Sequence, residues 1–557
     1  MKRAALGALL ICGHVLAGHA GGPPRVGFDW FDYRGQDPEF AAPLRPGHYR
    51  NPVLAGFHPD PSVVRVGEDY YLVNSSFAWF PGLPVYHSRD LVHWQQIGSA
   101  LDRRSQLRVE NGQGISRAIF APTIRFHDGR YYIITTDVDG IGSFYVTAQY
   151  PAGPWSDPVI LPEIDGIDPD LFFDADGRAY IVHNGPPPGS PLYEGHRAIW
   201  LWEFDLAKRR VVAGSGRVIV NGGTDLGRQP VWIEGPHLYR VGDWYYLLCA
   251  EGGTEEGHSE VAFRAPSLAG PFVPDPGNPI LTQRDLDPAR PDPITSTGHA
   301  DLVQTPAGNW WAVFLGVRPY AGGYHNTGRE TFLLPVTWRD GWPVILAAHT
   351  AVPWQAIKPD LPDASEAIPP QTGNFEWRDG FDRTYLDREW LVARTSPLHW
   401  YHPDAAAGVV YLDALPVTLR DRGQPAFLAR RVQHRDFTAT TRLELPAAQG
   451  LAAGLAAFQS SDFHYFLGAR CSAQSCQVFL ESVAKGVPEI RASAGIARDV
   501  GHLELGMAQH GDSLTFTYAT GKDEPVTLAS GVDARLLSTQ VAGGFVGAMV
   551  GIHARRE

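Results

Sequence analysis

The feature that most restricts this chain is a short unit that comes back five times. A polar turn leading into aromatic residues occurs as Gly67-Glu68-Asp69-Tyr70-Tyr71, Asp128-Gly129-Arg130-Tyr131-Tyr132, Asp176-Gly177-Arg178-Ala179-Tyr180, Gly242-Asp243-Trp244-Tyr245-Tyr246 and Ala307-Gly308-Asn309-Trp310-Trp311. Copies about 50 to 65 residues apart have the period of propeller blades, each a sheet of four strands. In each copy the turn reverses the chain and the aromatic side chains can pack between neighbouring blades. The repeat predicts an all-β fold that begins with a five-bladed β-propeller over residues 45–345. A series of β-sandwiches, the other architecture of many short strands, gives no reason for the aromatic turn to recur.

A propeller brings the innermost strand of every blade to a common axis, so one repeat position is met five times around a channel. Ten or eleven residues before the aromatics, that position holds Asp60, Ala121, Asp168, Glu234 and His299. Each alone reads as a turn former or a surface group. Together they place three carboxyls and an imidazole face to face. Asp170 competes with Asp168, because residues two apart on a strand share a face. Aligning Asp60-Pro61-Ser62 with Asp168-Pro169-Asp170 favours Asp168.

Residues 346–373 are rich in Pro, Ala and Asp without sustained periodicity and read as a linker. Residues 374–557 alternate apolar and polar side chains over many short runs, as in Phe437 to Leu445, and predict a β-sandwich. Residues 1–20 have a basic start, a short apolar stretch and small residues before a cleavage point, and read as a secretory signal. The expectation is export, periplasmic or extracellular, with no membrane span. The net charge of −13 argues against a nucleic-acid partner. Export permits a local disulfide between Cys471 and Cys476, whereas Cys249 lies in an apolar run and reads as a buried thiol. Nothing has zinc-site spacing. Oligomeric state, including a homo-oligomer, is left open.

Two carboxyls across a pocket are what glycoside hydrolysis requires: one protonated to release the leaving oxygen, the other ionised to activate water or attack carbon. A third carboxylate nearby raises the pKa of the acid. Phe57, Phe77, Trp79 and Phe120 fall near the expected channel ends, where aromatic faces could stack on a sugar ring. At these residues the chain resembles glycoside hydrolase family 43, the β-xylosidases and α-L-arabinofuranosidases. The resemblance runs through Asn51 to Ser62, Ser76-Phe77-Ala78-Trp79-Phe80-Pro81-Gly82, His87 to Trp94, Glu234-Gly235-Pro236-His237-Leu238-Tyr239, Glu251 to Thr254, His258-Ser259-Glu260, Gly298-His299-Ala300 and Gly328-Arg329-Glu330-Thr331. Residues Phe381-Asp382, Leu386-Asp387, Ala429 to Arg431 and Gln433-His434 resemble the concanavalin-like sandwich attached to such xylosidases.

The resemblance implies Asp60 as general base, Glu234 as general acid and Asp168 as the carboxylate that tunes and orients the acid, with inversion at the anomeric carbon. It implies that Phe77, Phe120, His299 and Arg329 contact the sugar. His299 would lie deep in the channel where some relatives hold a water-bound calcium, although no cofactor is required for the chemistry. The substrate implied is a xylo- or arabino-oligosaccharide cut from its end. An endo-arabinanase and a non-catalytic carbohydrate-binding propeller are the alternatives. The sequence departs from the family pattern at Phe120-Ala121-Pro122-Thr123, where Trp-Ala-Pro-Asp is frequent, and at Ala78, where many xylosidases carry Glu.

Overall fold

The computed structural model describes residues 23–557 except 110, 321, 364–367, 447 and 522, so residues 1–20, read as an export signal, lie outside the described residues. Short alternating runs closed by Gly, Asp and Asn turns form antiparallel strands throughout, and helix is confined to single turns. Among the described residues no helix is long and apolar enough to cross a membrane.

Five sheets are arranged as propeller blades. Their innermost strands are Ser62–Val66, Thr123–His127, Ile167–Phe173, Glu234–Val241 and Thr295–Gln304. Each is paired across the recurring turn with the aromatic strand that follows it. The aromatics pack between sheets as expected: Tyr71 meets Tyr131 of the next blade at 5.2 Å and Tyr239 meets Trp310 at 6.3 Å. The segment read as a linker carries a strand, Gln355–Ile357, which pairs with His48–Arg50 before the first blade. Leu54 bridges to Thr331 of the fifth blade, so the chain entering the propeller is fastened to the chain leaving it.

The sandwich is built from two large sheets. One of them takes in Arg25–Gly35 from the other end of the chain, placed between Val409–Asp413 and Phe437–Glu444. That strand is drawn in by its alternating apolar side chains: Val26, Phe28, Phe31 and Tyr33 are buried in the sandwich core with Trp390 and Leu443. The propeller is therefore inserted into the sandwich. In return, Trp79–Phe80 leaves the first blade and pairs with Leu391–Ala393 at the edge of the second sandwich sheet. Trp79 packs on Phe427 and Phe458, which corrects its expected place at the channel mouth. One apolar cluster runs through both parts, joining Val73, Leu83 and Ile119 of the propeller to Phe427, Phe466 and Met549 of the sandwich. Cys471 and Cys476 are disulfide-bonded across the turn between two sandwich strands, and Cys249 is a buried free thiol in the fourth blade.

A single guanidinium ties the three regions together. Arg318, 0% exposed, binds Glu330 of its own blade through two hydrogen bonds of 2.6 and 2.8 Å, Asp37 beyond the N-terminal strand at 2.7 Å, and the Gln433 carbonyl of the sandwich at 2.9 Å. Burial pushes the Glu330 carboxyl up, and Arg318 opposes that shift. Removing the cation would leave two buried carboxylates without a counter-charge. Arg318→Met is expected to lose about 3–5 kcal/mol of stability, read as a large fall in the denaturation midpoint. An unchanged midpoint would show that the node is dispensable.

Candidate active site

The innermost strands do not enter the channel in regular conformation. Asp60, Asp168 and His299 stand at φ of 52°, 53° and 52°, and in the fourth blade Gly235, next to Glu234, stands at 55°. The ladders slip at the same places, between Ile167 and Asp170, between Glu234 and His237, and on both sides of Gly298. A bulge of this kind re-aims one side chain out of the sheet. A left-handed non-glycine residue costs on the order of 1–3 kcal/mol and persists only where its surroundings hold it. Repetition of the same bend in separate blades brings the repeat positions together at one end of the channel.

There they line a cavity of about 870 Å³. Asp60, Asp168, Glu234 and His299 all face it, with Ala121 filling the remaining repeat position. Phe77, Phe120 and Arg329 line it as well. Phe57 stands behind Phe77, 5.9 Å away, and contributes packing rather than wall. Arg329 donates to Asp60 Oδ1 at 2.8 Å, the Ser75 hydroxyl donates to Asp60 Oδ2, and His299 Nδ1 lies 3.6 Å from Oδ1. Asp168 accepts from the Gly235 amide at 3.2 Å, which fixes it against the strand that carries Glu234.

The electrostatics follow from crowding carboxyls in a buried place. Burial and then the charge of Asp60 push Glu234 up to about 7, against the pull of Arg329 and Arg197. Burial, then Glu234 and Asp60, push Asp168 well above the usual carboxylate range. Burial, opposed by Asp60, lowers His299 to about 4, so it is neutral at ordinary pH. The site thus combines an anchored carboxylate with a carboxyl that still holds its proton near neutrality. Such a pair can move a proton onto one atom and off another.

Asp170 points elsewhere. It is fully buried, 3.0 Å from the Arg125 Nε, and accepts from the Leu238 amide at 3.3 Å. Arg125 also binds Asp301 at 2.9 Å and approaches His237 Nδ1 at 3.1 Å. Tyr239 and Ser62 donate to Asp301 as well, so a buried ion-pair cluster joins Arg125, Asp170 and Asp301. Burial alone would raise Asp301, but Arg125, with His237 and the Ser62 hydroxyl, holds it well below the usual range. A calcium ion on His299 does not fit these surroundings. The carboxylate beside His299, Asp60 at 3.6 Å, already pairs with Arg329, the channel carboxylates Asp170 and Asp301 already pair with Arg125, and the described residues contain no group of three metal-ligating side chains.

Sequence reasoning did not find the wall contributed by the sandwich. Phe545 lines the cavity, 5.9 Å from both Phe77 and Phe120, with the Arg329 guanidinium 5.6 Å above its ring. The signal was present in Gly543-Gly544-Phe545-Val546-Gly547. A Cβ on Gly547 would stand 2.4 Å from the Thr327 carbonyl, and one on Gly328 would stand 2.8 Å from Gly547. Glycine at both places lets two backbones touch and carries Phe545 into the pocket. Trp232 and Arg197, which line the cavity too, were missed as well.

A propeller with three carboxyls and an arginine at one end of its channel, capped by a sandwich, is the architecture of a glycoside hydrolase, and comparison with known proteins agrees. The family model for glycosyl hydrolases family 43 matches residues 49–343, and that for the beta xylosidase C-terminal concanavalin A-like domain matches residues 378–557. The chain belongs to glycosyl hydrolases family 43. It is 38% identical over 507 residues to a xylosidase/arabinosidase of Butyrivibrio fibrisolvens, covering 90% of this chain and 95% of the relative. It is 35% identical over 523 residues to the non-reducing end alpha-L-arabinofuranosidase BoGH43B of Bacteroides ovatus, covering 91% of each. Among solved structures, a GH43_12 protein retrieved from the capybara gut metagenome superposes with a TM-score of 0.89 at 39% identity, over 95% of this chain and 99% of that one.

With Arg125 supplying the positive charge of the channel, exhaustive chelation is expected to leave both the melting temperature and the rate on an aryl glycoside unchanged. Loss of either on chelation, restored by added calcium, would place a cation in the channel after all.

Proposed function

We propose that this glycoside hydrolase is an exo-acting, inverting enzyme that removes β-1,4-xylosyl or α-L-arabinofuranosyl units from the ends of hemicellulose oligosaccharides. The observation that carries the reading is the asymmetry of the carboxyls around one cavity. Asp60, tied to Arg329 and Ser75, is the anchored one and is suited to take a proton from water. Glu234, at about 7, is suited to deliver a proton to the departing oxygen. Asp168, held by the Gly235 amide, is suited to fix the strand that carries the acid. Phe77, Phe120 and Phe545 give one side of the cavity an apolar lining, Phe77 and Phe545 near parallel and Phe120 edge-on, against which the C–H face of a sugar can rest.

The sandwich favours end-attack over an open groove, because it adds Phe545 as a wall beside Arg329 and fastens that loop to Ser116 of the propeller. The names of the relatives supply the candidate sugars. Export through residues 1–20 belongs to the same reading and is tested by N-terminal sequencing of the protein recovered from periplasm or medium.

Asp60→Asn and Glu234→Gln are each expected to lower kcat by about 10²–10⁴-fold with little change in melting temperature. Rates within a few-fold of the parent in either variant would remove the assignment. Glu234 must be protonated to act, so kcat/KM is expected to fall as pH rises through about 7, and that basic limb should be absent from Glu234→Gln. Rates on an aryl β-D-xyloside and an aryl α-L-arabinofuranoside, measured side by side, identify the preferred sugar. Activity on neither would overturn the proposal.

A further inference from the structure

The aromatic side chains of the cavity divide into two groups. Phe77, Phe120 and Phe545 cluster with Arg329 beside Asp60. Trp232 stands apart, two residues before Glu234. It is a bulky residue at φ 52°, a conformation for which large side chains pay a steric cost and which the surroundings must impose. They do so from three sides. Its amide donates to the Gly195 carbonyl at 2.9 Å, the Gly252 amide donates to the preceding carbonyl at 2.9 Å, and Asn184 donates to the following one at 2.6 Å. The backbone is strapped so that the indole faces the cavity and not the blade interior.

The Arg197 guanidinium lies 4.2 Å from the centre of the Trp232 ring and also lines the cavity. Among the described residues the Arg197 side chain makes no hydrogen bond or ion pair, so its donors are available above an apolar face. A partly exposed indole next to unspent donors matches a sugar ring, which offers C–H groups on its face and hydroxyls at its edge. Position decides which sugar. A general acid stands beside the bond to the leaving group, and Trp232 and Arg197 stand beside the acid.

We propose that Trp232 and Arg197 form the leaving-group platform, which binds the pyranosyl residue from which the terminal sugar is cut. The inference rests on the glycosidase reading and on Glu234 as its acid. It makes this chain a selector of what lies behind the scissile bond, while Asp60, Arg329 and the phenylalanines select the terminal sugar. Binding of that remote ring is spent on the chemical step, so losing it lowers kcat/KM for a natural substrate and spares a substrate that lacks the ring.

The test uses two substrates of the preferred terminal sugar, one with a sugar leaving group and one with a single-atom leaving group. These are xylobiose and β-D-xylosyl fluoride, or an arabinofuranosyl-xylose and α-L-arabinofuranosyl fluoride. Trp232→Ala is expected to lose about 10–100-fold in kcat/KM on the disaccharide and less than about threefold on the fluoride. Trp232→Phe should recover part of the loss. Arg197→Met, which leaves the strapped backbone untouched, should show the same preference for the fluoride. The basic limb of the disaccharide pH profile should keep its midpoint in Trp232→Ala. A displaced midpoint would mean that the indole acts only through Glu234, and equal losses on both substrates would mean a structural role; either result overturns the platform. A parent enzyme inactive on all four substrates would instead overturn the glycosidase reading, and the platform with it.

Discussion

Two acidic groups and a carbonyl converge on the buried Arg318, and the geometry of the enzyme depends on that convergence. Asp37 belongs to the start of the chain, Glu330 to the last blade and Gln433 to the sandwich. A buried charge tolerates little displacement of its partners, because losing one leaves the others uncompensated in a medium of low polarity. The node therefore acts as a positional lock more than as a source of stability. It lies in the blade that carries Arg329, one residue before Glu330, so fixing the node also fixes the guanidinium that anchors Asp60. The apolar cluster shared by the two domains does the complementary work, since it is large but indifferent to small shifts.

The active site uses backbone conformation as a second lock. Regular pleating would put successive side chains on opposite faces of each blade. The left-handed residues at Asp60, Asp168 and His299 break that rule at the same height in three blades, and Gly235 does so in a fourth. The ends of the carboxylates are consequently closer together than their charges would choose. The protein offsets the repulsion unevenly, giving Asp60 an arginine and a hydroxyl and giving Asp168 a single amide. Uneven solvation separates the proton affinities of otherwise similar groups, and general acid–base chemistry needs that separation.

Much of this was legible in the sequence, and the reasons differ from part to part. The propeller was readable because a repeat states the same local instruction many times over, so one ambiguous copy, such as the Ala179-Tyr180 strand, does no harm. Asp60, Asp168, Glu234 and His299 were readable because the repeat gives equivalent positions equivalent places. Asp170 could be set aside only by alignment, and the physical reason is now visible: it faces Arg125 and Asp301 below the cavity. Other features were hidden because they rest on contacts between distant segments. Nothing near Arg25–Gly35 announces that its partner lies some 400 positions later, and Trp79 looked like a pocket aromatic until its strand joined the sandwich edge. Trp232 lies outside the repeat position and carries no local pattern of its own, and Phe545 was marked only by the glycines that flank it.

The first described strand and the last belong to the same sandwich, with every blade of the propeller between them. The order of synthesis is therefore opposed to the order of assembly. Arg25–Gly35 is made before every blade and must wait, unpaired, until Glu376–Asp379 and Val409–Asp413 exist, and Phe545 reaches the pocket only after all five blades are made. A polypeptide released early would carry all three acidic groups and still lack both the clasp that closes the molecule and one wall of its cavity. The sandwich is thus a device that withholds a finished pocket until Phe545 has been made.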